Sequence, residues 1–154
     1  MGLRDQFNEA LKTAMKAKDA RRVGTLRMIL AAVKDRDIAA RSEDNRELVR
    51  DEDLLTLLTK MVKQREESAE IYDKGNRPEL AAQEREEIAV IREFMPRQMS
   101  LEEAKAAIAN VIAEVGAASV KDMGKVMGAL KVRFAGQMDF AKAGGLVKEL
   151  LGGK

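Results

Sequence analysis

The sequence contains no cysteine, no histidine and no tryptophan. Without cysteine there are no disulfides, no thiol nucleophile and no thiolate ligand for zinc. Without histidine there is no imidazole to serve as acid, base or metal ligand near neutral pH. Aromatic residues make up 3% of the chain and it has 2 prolines, which argues against a β-rich fold built on aromatic strand residues and frequent turns. Long apolar runs are missing too: the longest uncharged stretch is about 106–113, far short of the roughly 20 residues that span a bilayer. The opening residues Met1 to Gln6 lack a signal-peptide apolar region, and Gln6 stands where a myristoylation motif wants Ser or Thr. A cytoplasmic protein is expected, since a cysteine-free chain fits a reducing compartment. A strong overall charge is also lacking. With 28 basic and 26 acidic residues the net charge is +2, so any contact with RNA must be local.

The composition is 45% hydrophobic and 35% charged, as expected of a soluble globular chain of helices exposed on one side. The expectation is an all-α protein. It would have an N-terminal bundle of about four helices over residues 1–96 and a small three-helix domain over 97–154. The first helix, Leu3 to Lys18, carries Leu3, Phe7, Ala10, Leu11, Ala14 and Met15 on one face. Asp19 is placed to cap the second, which has Val23, Leu26, Ile29, Leu30 and Val33 as its stripe and reaches about Arg41. In this helix Arg21, Arg22, Arg27, Lys34, Arg36 and Arg41 alternate with Asp35 and Asp37 and read as a solvated face. Ser42 to Arg46 reads as a loop. The third helix starts near Asp51 and carries Leu54, Leu55, Leu57, Leu58, Met61 and Val62. Gly75 can end it, and Pro78 fits the first turn of a fourth whose inward residues are Leu80, Ala81, Ile88, Ile91 and Phe94. Pro96 marks the boundary, because it disfavours helical geometry at Met95. Ser100 to Glu103 forms a capping box for a helix that runs to Gly116 and includes Leu101 in its stripe.

Candidate chemistry is sparse. Ser68 has no histidine to activate it. Glu66, Glu67, Glu70, Glu84 and Glu87 suggest a carboxylate pair or a two-metal site, but a helical-bundle metal site of that kind pairs glutamate with histidine. Neither metal nor cofactor is expected, and charged-helix solvation is the default reading of these acids.

The most informative stretch is Ser119 to Leu151, which reads as two short helices around a turn. The first is headed by Ser119 and carries Met123, Val126, Met127 and Leu130. The second is capped by Asp139 and carries Phe140, Ala143, Leu146, Val147, Leu150 and Leu151. Gly136, in the turn, can supply a positive φ. Gly124, Gly128, Gly144 and Gly145 fall inside the helices, each at a cost of roughly 1 kcal/mol against alanine. Two explanations stay open: close contact with a neighbouring helix, or close approach of a ligand backbone such as a phosphodiester. The stretch is locally basic, with Lys121, Lys125, Lys131, Arg133, Lys142 and Lys148 against Asp122 and Asp139.

The run Lys121-Asp122-Met123-Gly124-Lys125-Val126-Met127, then Gly136 and Asp139, then Leu146 to Leu151, resembles the YqeY side of the GatB/YqeY family. Lys63 to Ser68, the Gly75 to Arg77 turn and Phe94-Met95-Pro96 extend the resemblance over nearly the whole chain. One departure is Gln137, where the family pattern has a basic or small residue, so no phosphate contact is expected from it. The resemblance implies a last domain similar to the tail of the GatB component of the tRNA-dependent aspartyl/glutamyl amidotransferase, a tail that contributes tRNA binding. The family label, a carbon–nitrogen ligase with glutamine as amide donor, is a fold-level analogy for this chain. On these grounds the expected partner is tRNA or a tRNA-associated protein. Lys121, Lys125, Lys131, Arg133 and Lys142 would contact phosphate, and Gly124, Gly128 and Gly136 would permit close approach. A protein-interaction adaptor without RNA contact is the alternative, and an autonomous amidotransferase ranks below both. No membrane contact is expected.

Overall fold

The computed structural model describes residues 2–41 and 48–152. The loop read at Ser42 to Arg46 therefore lies outside the described residues, as do Met1, Gly153 and Lys154. The described residues are all-helical. In order they form α1 (Leu3–Lys16), α2 (Ala20–Ala40), α3 (Asp51–Lys74), α4 (Pro78–Arg92), α5 (Leu101–Val115), a 3-10 turn (Val120–Asp122), α6 (Met123–Phe134) and α7 (Phe140–Gly152). The chain divides into two compact units, Met1–Met95 and Pro96–Lys154.

The first unit is organised as two antiparallel helix pairs. Arg4, in the first turn of α1, meets Asp37 in the last turn of α2. α3 and α4 are tied along their length by Asp73 with Arg85, Glu66 with Arg92, and Arg65 with Glu87. Phe7, Leu26, Ile29, Leu54, Leu58 and Ile91 are fully buried between the pairs. Phe94 packs edge-on against Phe7, with ring centroids 5.0 Å apart and an interplanar angle of 78°. The ends of the helices follow local chemistry. The Asp19 carboxylate accepts from the Arg22 N–H at 3.1 Å, and Pro78 opens α4.

Several stripe edges turn out to face solvent. Met15, Leu80 and Leu101 are 51%, 37% and 61% exposed, and each lies in the first or last turn of its helix, where a stripe has fewer neighbours to cover it. At the end of α3, Gly75 has an ordinary φ of −85°, and Asn76 takes the left-handed conformation with φ 59°. Asp37, expected on a solvated face, is buried. Arg21 and Arg22 on the same helix reach Glu86 and Glu93 and tie α2 to the last two turns of the α4 segment.

The second unit has its own core of Ile108, Val111, Val126, Leu130 and Val147. α5 opens on the complete capping box: the Ser100 hydroxyl accepts from the Glu103 N–H at 3.1 Å, and the Glu103 carboxylate accepts from the Ser100 N–H at 3.2 Å. It closes at Gly116 with φ 69°. The Asp139 carboxylate accepts from the Ala141 N–H at 2.9 Å and so caps α7.

Candidate functional site

α6 begins one turn later than the sequence suggests, because Val120 to Asp122 form a 3-10 turn ahead of it. The bonds that fix this end run to Asp122, whose carboxylate accepts from the Ala118 N–H at 2.9 Å and the Ser119 N–H at 3.4 Å. These two donors hold the Asp122 carboxyl below its ordinary pKa. With its start fixed, α6 buries Val126 and Leu130 and half-buries Met123, Met127 and Phe134. Its 3.6-residue period then turns Gly124, Lys125, Gly128, Lys131 and Val132 to the opposite side, all exposed. Gly124 and Gly128 stand one turn apart in the middle of that side, with Lys125 and Lys131 flanking them. Lys121 is exposed on the 3-10 turn just ahead.

The glycines of this face do not serve helix packing. A Cβ placed at Gly124, Gly128 or Gly145 would meet no atom of the described residues within 4 Å, and one at Gly144 would make only ordinary contact with Met123 Cε at 3.6 Å. Nor do these positions need glycine's backbone freedom, since the positive-φ glycines among the described residues are Gly116 and Gly136. The neighbouring-helix explanation is therefore overturned for Gly124, Gly128 and Gly145. The fold gains nothing visible from residues that weaken their helices.

The other expected contact residues lie elsewhere. Arg133 turns away from the glycine face and pairs with Glu114 of α5. Gly136 is buried, with φ 77°. Its carbonyl accepts from the Gln98 side chain, and the neighbouring Gln137 carbonyl accepts from the Met99 N–H at 2.9 Å. The Gly136 turn thus straps down the residues ahead of α5, and its backbone is closed to a ligand. Lys142, on α7, borders a separate cleft of about 490 Å³ with Met99, Leu101, Ala104, Met138 and Leu146. One face of α6 accordingly gathers Gly124, Lys125, Gly128 and Lys131, with Lys121 exposed on the turn ahead of it, and leaves out Arg133, Gly136 and Lys142.

In the first unit, several acidic residues of α3 and α4 are engaged in ion pairs. Glu66 is held by Arg92 and Glu87 by Arg65. Burial raises the Glu84 pKa, and the nearby Glu87 charge adds to the rise. Among the described residues, no group of three or more acidic side chains is arranged to hold a metal ion.

A polar centre that sequence reading missed lies at the other end of this unit. Both Asp37 carboxylate oxygens accept from the Arg4 guanidinium at 2.7 Å, and one also accepts from the buried Val49 N–H at 2.9 Å. Arg4 donates further to the Val49 carbonyl at 2.8 Å. The signal was the register: Asp37 continues the spacing of Leu26, Ile29, Leu30 and Val33, which puts a carboxylate on the buried stripe. No helix is long and apolar enough to cross a membrane among the described residues.

Comparison with known proteins matches residues 4–151 to the family model described as Yqey-like protein. The chain is similar to three yeast proteins named Altered inheritance of mitochondria protein 41, mitochondrial. It is 34% identical to the one from Lachancea thermotolerans over 107 residues, covering 68% of this chain and 55% of that protein. The one from Vanderwaltozyma polyspora is 33% identical, covering 55% and 44%, and the one from Kluyveromyces lactis is 31% identical, covering 57% and 45%. The chain spans about half the length of the curated relatives it matches.

Proposed function

The chain belongs to the YqeY-like family, and from that premise we propose that it is a non-catalytic module that binds tRNA, or a protein bound to tRNA, through the outer face of α6. The observation that carries the reading is the open glycine pair Gly124 and Gly128, flanked by Lys121, Lys125 and Lys131. Glycines that cost helix stability with no return inside the fold are explained by a partner that comes close to the backbone. A phosphodiester strand is such a partner, and ammonium groups on either side suit its charge. The resemblance of the motif residues to the tail of the amidotransferase GatB component supports the same partner. No amide transfer is assigned to this chain. The proposal keeps the cytoplasmic placement, while the yeast relatives are mitochondrial by name.

The test is titration of the purified protein with bulk tRNA at low and physiological salt, beside the variant Lys121→Glu/Lys125→Glu/Lys131→Glu. Wild-type binding should weaken steeply with salt, and the variant should lose most of its low-salt affinity. Unchanged affinity in the variant would remove this face from consideration. A second reading, a protein adaptor without RNA contact, is favoured by Val120 and Val132, which are 45% and 69% exposed. Salt-insensitive capture of a protein partner, with no tRNA binding at low salt, would make that reading the better one.

A further inference from the structure

Three helices of this chain end in the same motif, in which two reversed backbone bonds close the last turn and the residue between them is left-handed. At the end of α5 the bonds are Gly116 to Ala113 and Ala117 to Ile112, and at the end of α3 they are Asn76 to Asp73 and Arg77 to Tyr72. At the end of α1 they are Lys18 to Met15 and Asp19 to Ala14. The left-handed residues are Gly116 (φ 69°), Asn76 (φ 59°) and Lys18 (φ 56°). Glycine takes this conformation freely and asparagine tolerates it, whereas a lysine there is strained. The α1 turn alone of the three holds a residue unsuited to its backbone.

That turn is also a concentration of uncommitted positive charge. Lys12 and Lys16 lie one turn apart on α1, Lys18 follows, and all three are exposed. None makes an ion pair with any described residue. The neighbouring charges are otherwise occupied: Arg21 and Arg22 are held by Glu86 and Glu93, and the Asp19 carboxylate caps the Arg22 N–H. Glu9, one turn back, is the other exposed acid nearby. The helix dipole accounts for a lysine at position 16 but not for one at 18, where the backbone favours glycine.

We infer that the α1–α2 turn is a second contact surface, one that grips the phosphate backbone of duplex RNA without reading its bases. A duplex fits better than a single strand, because α1 and α2 offer no aromatic ring for stacking: their one aromatic, Phe7, is fully buried. A bilayer fits worse, because the apolar stripe Leu3, Phe7 and Ala14 is buried in the core and cannot enter lipid. This inference stands apart from the α6 reading and can hold or fail without it.

The experiment uses the full chain and a labelled poly(A)·poly(U) duplex, titrated between about 50 and 200 mM salt. The variants are Lys12→Gln/Lys16→Gln and Lys18→Gly, each also made in the Lys121→Glu/Lys125→Glu/Lys131→Glu background. The double variant should lose several-fold in low-salt affinity and lower the log–log salt slope by roughly 1 to 2, with an unchanged melting temperature. Lys18→Gly should melt about 2–4 °C higher while its slope falls by about 1 or less. The same losses in the α6 background would separate the two surfaces. Wild-type duplex affinity and slope in Lys12→Gln/Lys16→Gln would overturn the inference, even where the α6 variant loses tRNA. So would an effect of the tip variants confined to phosphatidylserine vesicles or to an acidic protein.

Discussion

Asp37 shows how much one side chain can carry in a fold otherwise built on apolar stripes. It is 8% exposed and takes three hydrogen bonds, two from Arg4 and one from the Val49 N–H. The Arg4 bonds, foremost, hold its carboxyl below the usual aspartate range, against the opposing effect of burial. Replacing it with alanine leaves a guanidinium and a buried N–H without their acceptor, so Asp37→Ala should lose about 2–3 kcal/mol in urea unfolding. The sign of the pH effect follows from the lowered folded-state pKa. This stabilisation is present above the unfolded-state value and declines as pH falls through the carboxylate range toward the folded one. Acid titration of the melting temperature should therefore show a drop in wild type that is smaller in Asp37→Ala, and parallel curves would contradict the assignment. The burial was misread from the sequence, where Asp37 counts as part of a solvated face, although the stripe register places position 37 inward. The partner was not legible, because Arg4 is 33 positions away and nothing local points to it.

At the scale of the element, α6 sets helix propensity against exposure. Gly124→Ala and Gly128→Ala add a methyl group to open space and should each stabilise the protein by up to about 1 kcal/mol. On the proposed reading the same substitutions weaken tRNA binding, so thermal melts and titrations of one pair of variants should move in opposite directions. A loss of stability would show that the glycines serve the fold after all. Helix starts were the most legible elements of this chain, because a cap is a local event: Asp19, Pro78, Ser100 with Glu103, and Asp139 all act within three residues of their own positions. Stripe ends were less so. Met15, Leu80 and Leu101 fit the period, but how much of a stripe's length is covered depends on the neighbouring helix. That Gly124, Lys125, Gly128 and Lys131 share the side of α6 away from its buried stripe follows from the helical period. That Arg133 is turned toward Glu114, and that Gly136 is closed by Gln98, depended on α5 and the residues ahead of it.

For the whole molecule, composition was enough to read the all-α class, because few aromatics, few prolines and abundant charge leave amphipathic helices as the way to bury 45% hydrophobic residues. The cross-helix ion pairs named above all use arginine, whose planar fork suits carboxylates, while the lysines of both proposed surfaces form no salt bridge with a described residue. Each unit has its own buried cluster. Residues 1–95 and 96–154 should therefore each give a helical far-UV spectrum and a cooperative melt when expressed separately, the smaller one with the lower midpoint. A sloping, non-cooperative trace from either fragment would count against independent folding. Through its bonds to Arg4 and to the Val49 N–H, the Asp37 carboxylate joins the start of α1, the end of α2 and the backbone just ahead of α3. For protein engineering, that makes position 37 a release catch. A photocaged aspartate there would keep the joint open in the dark and let it form on illumination.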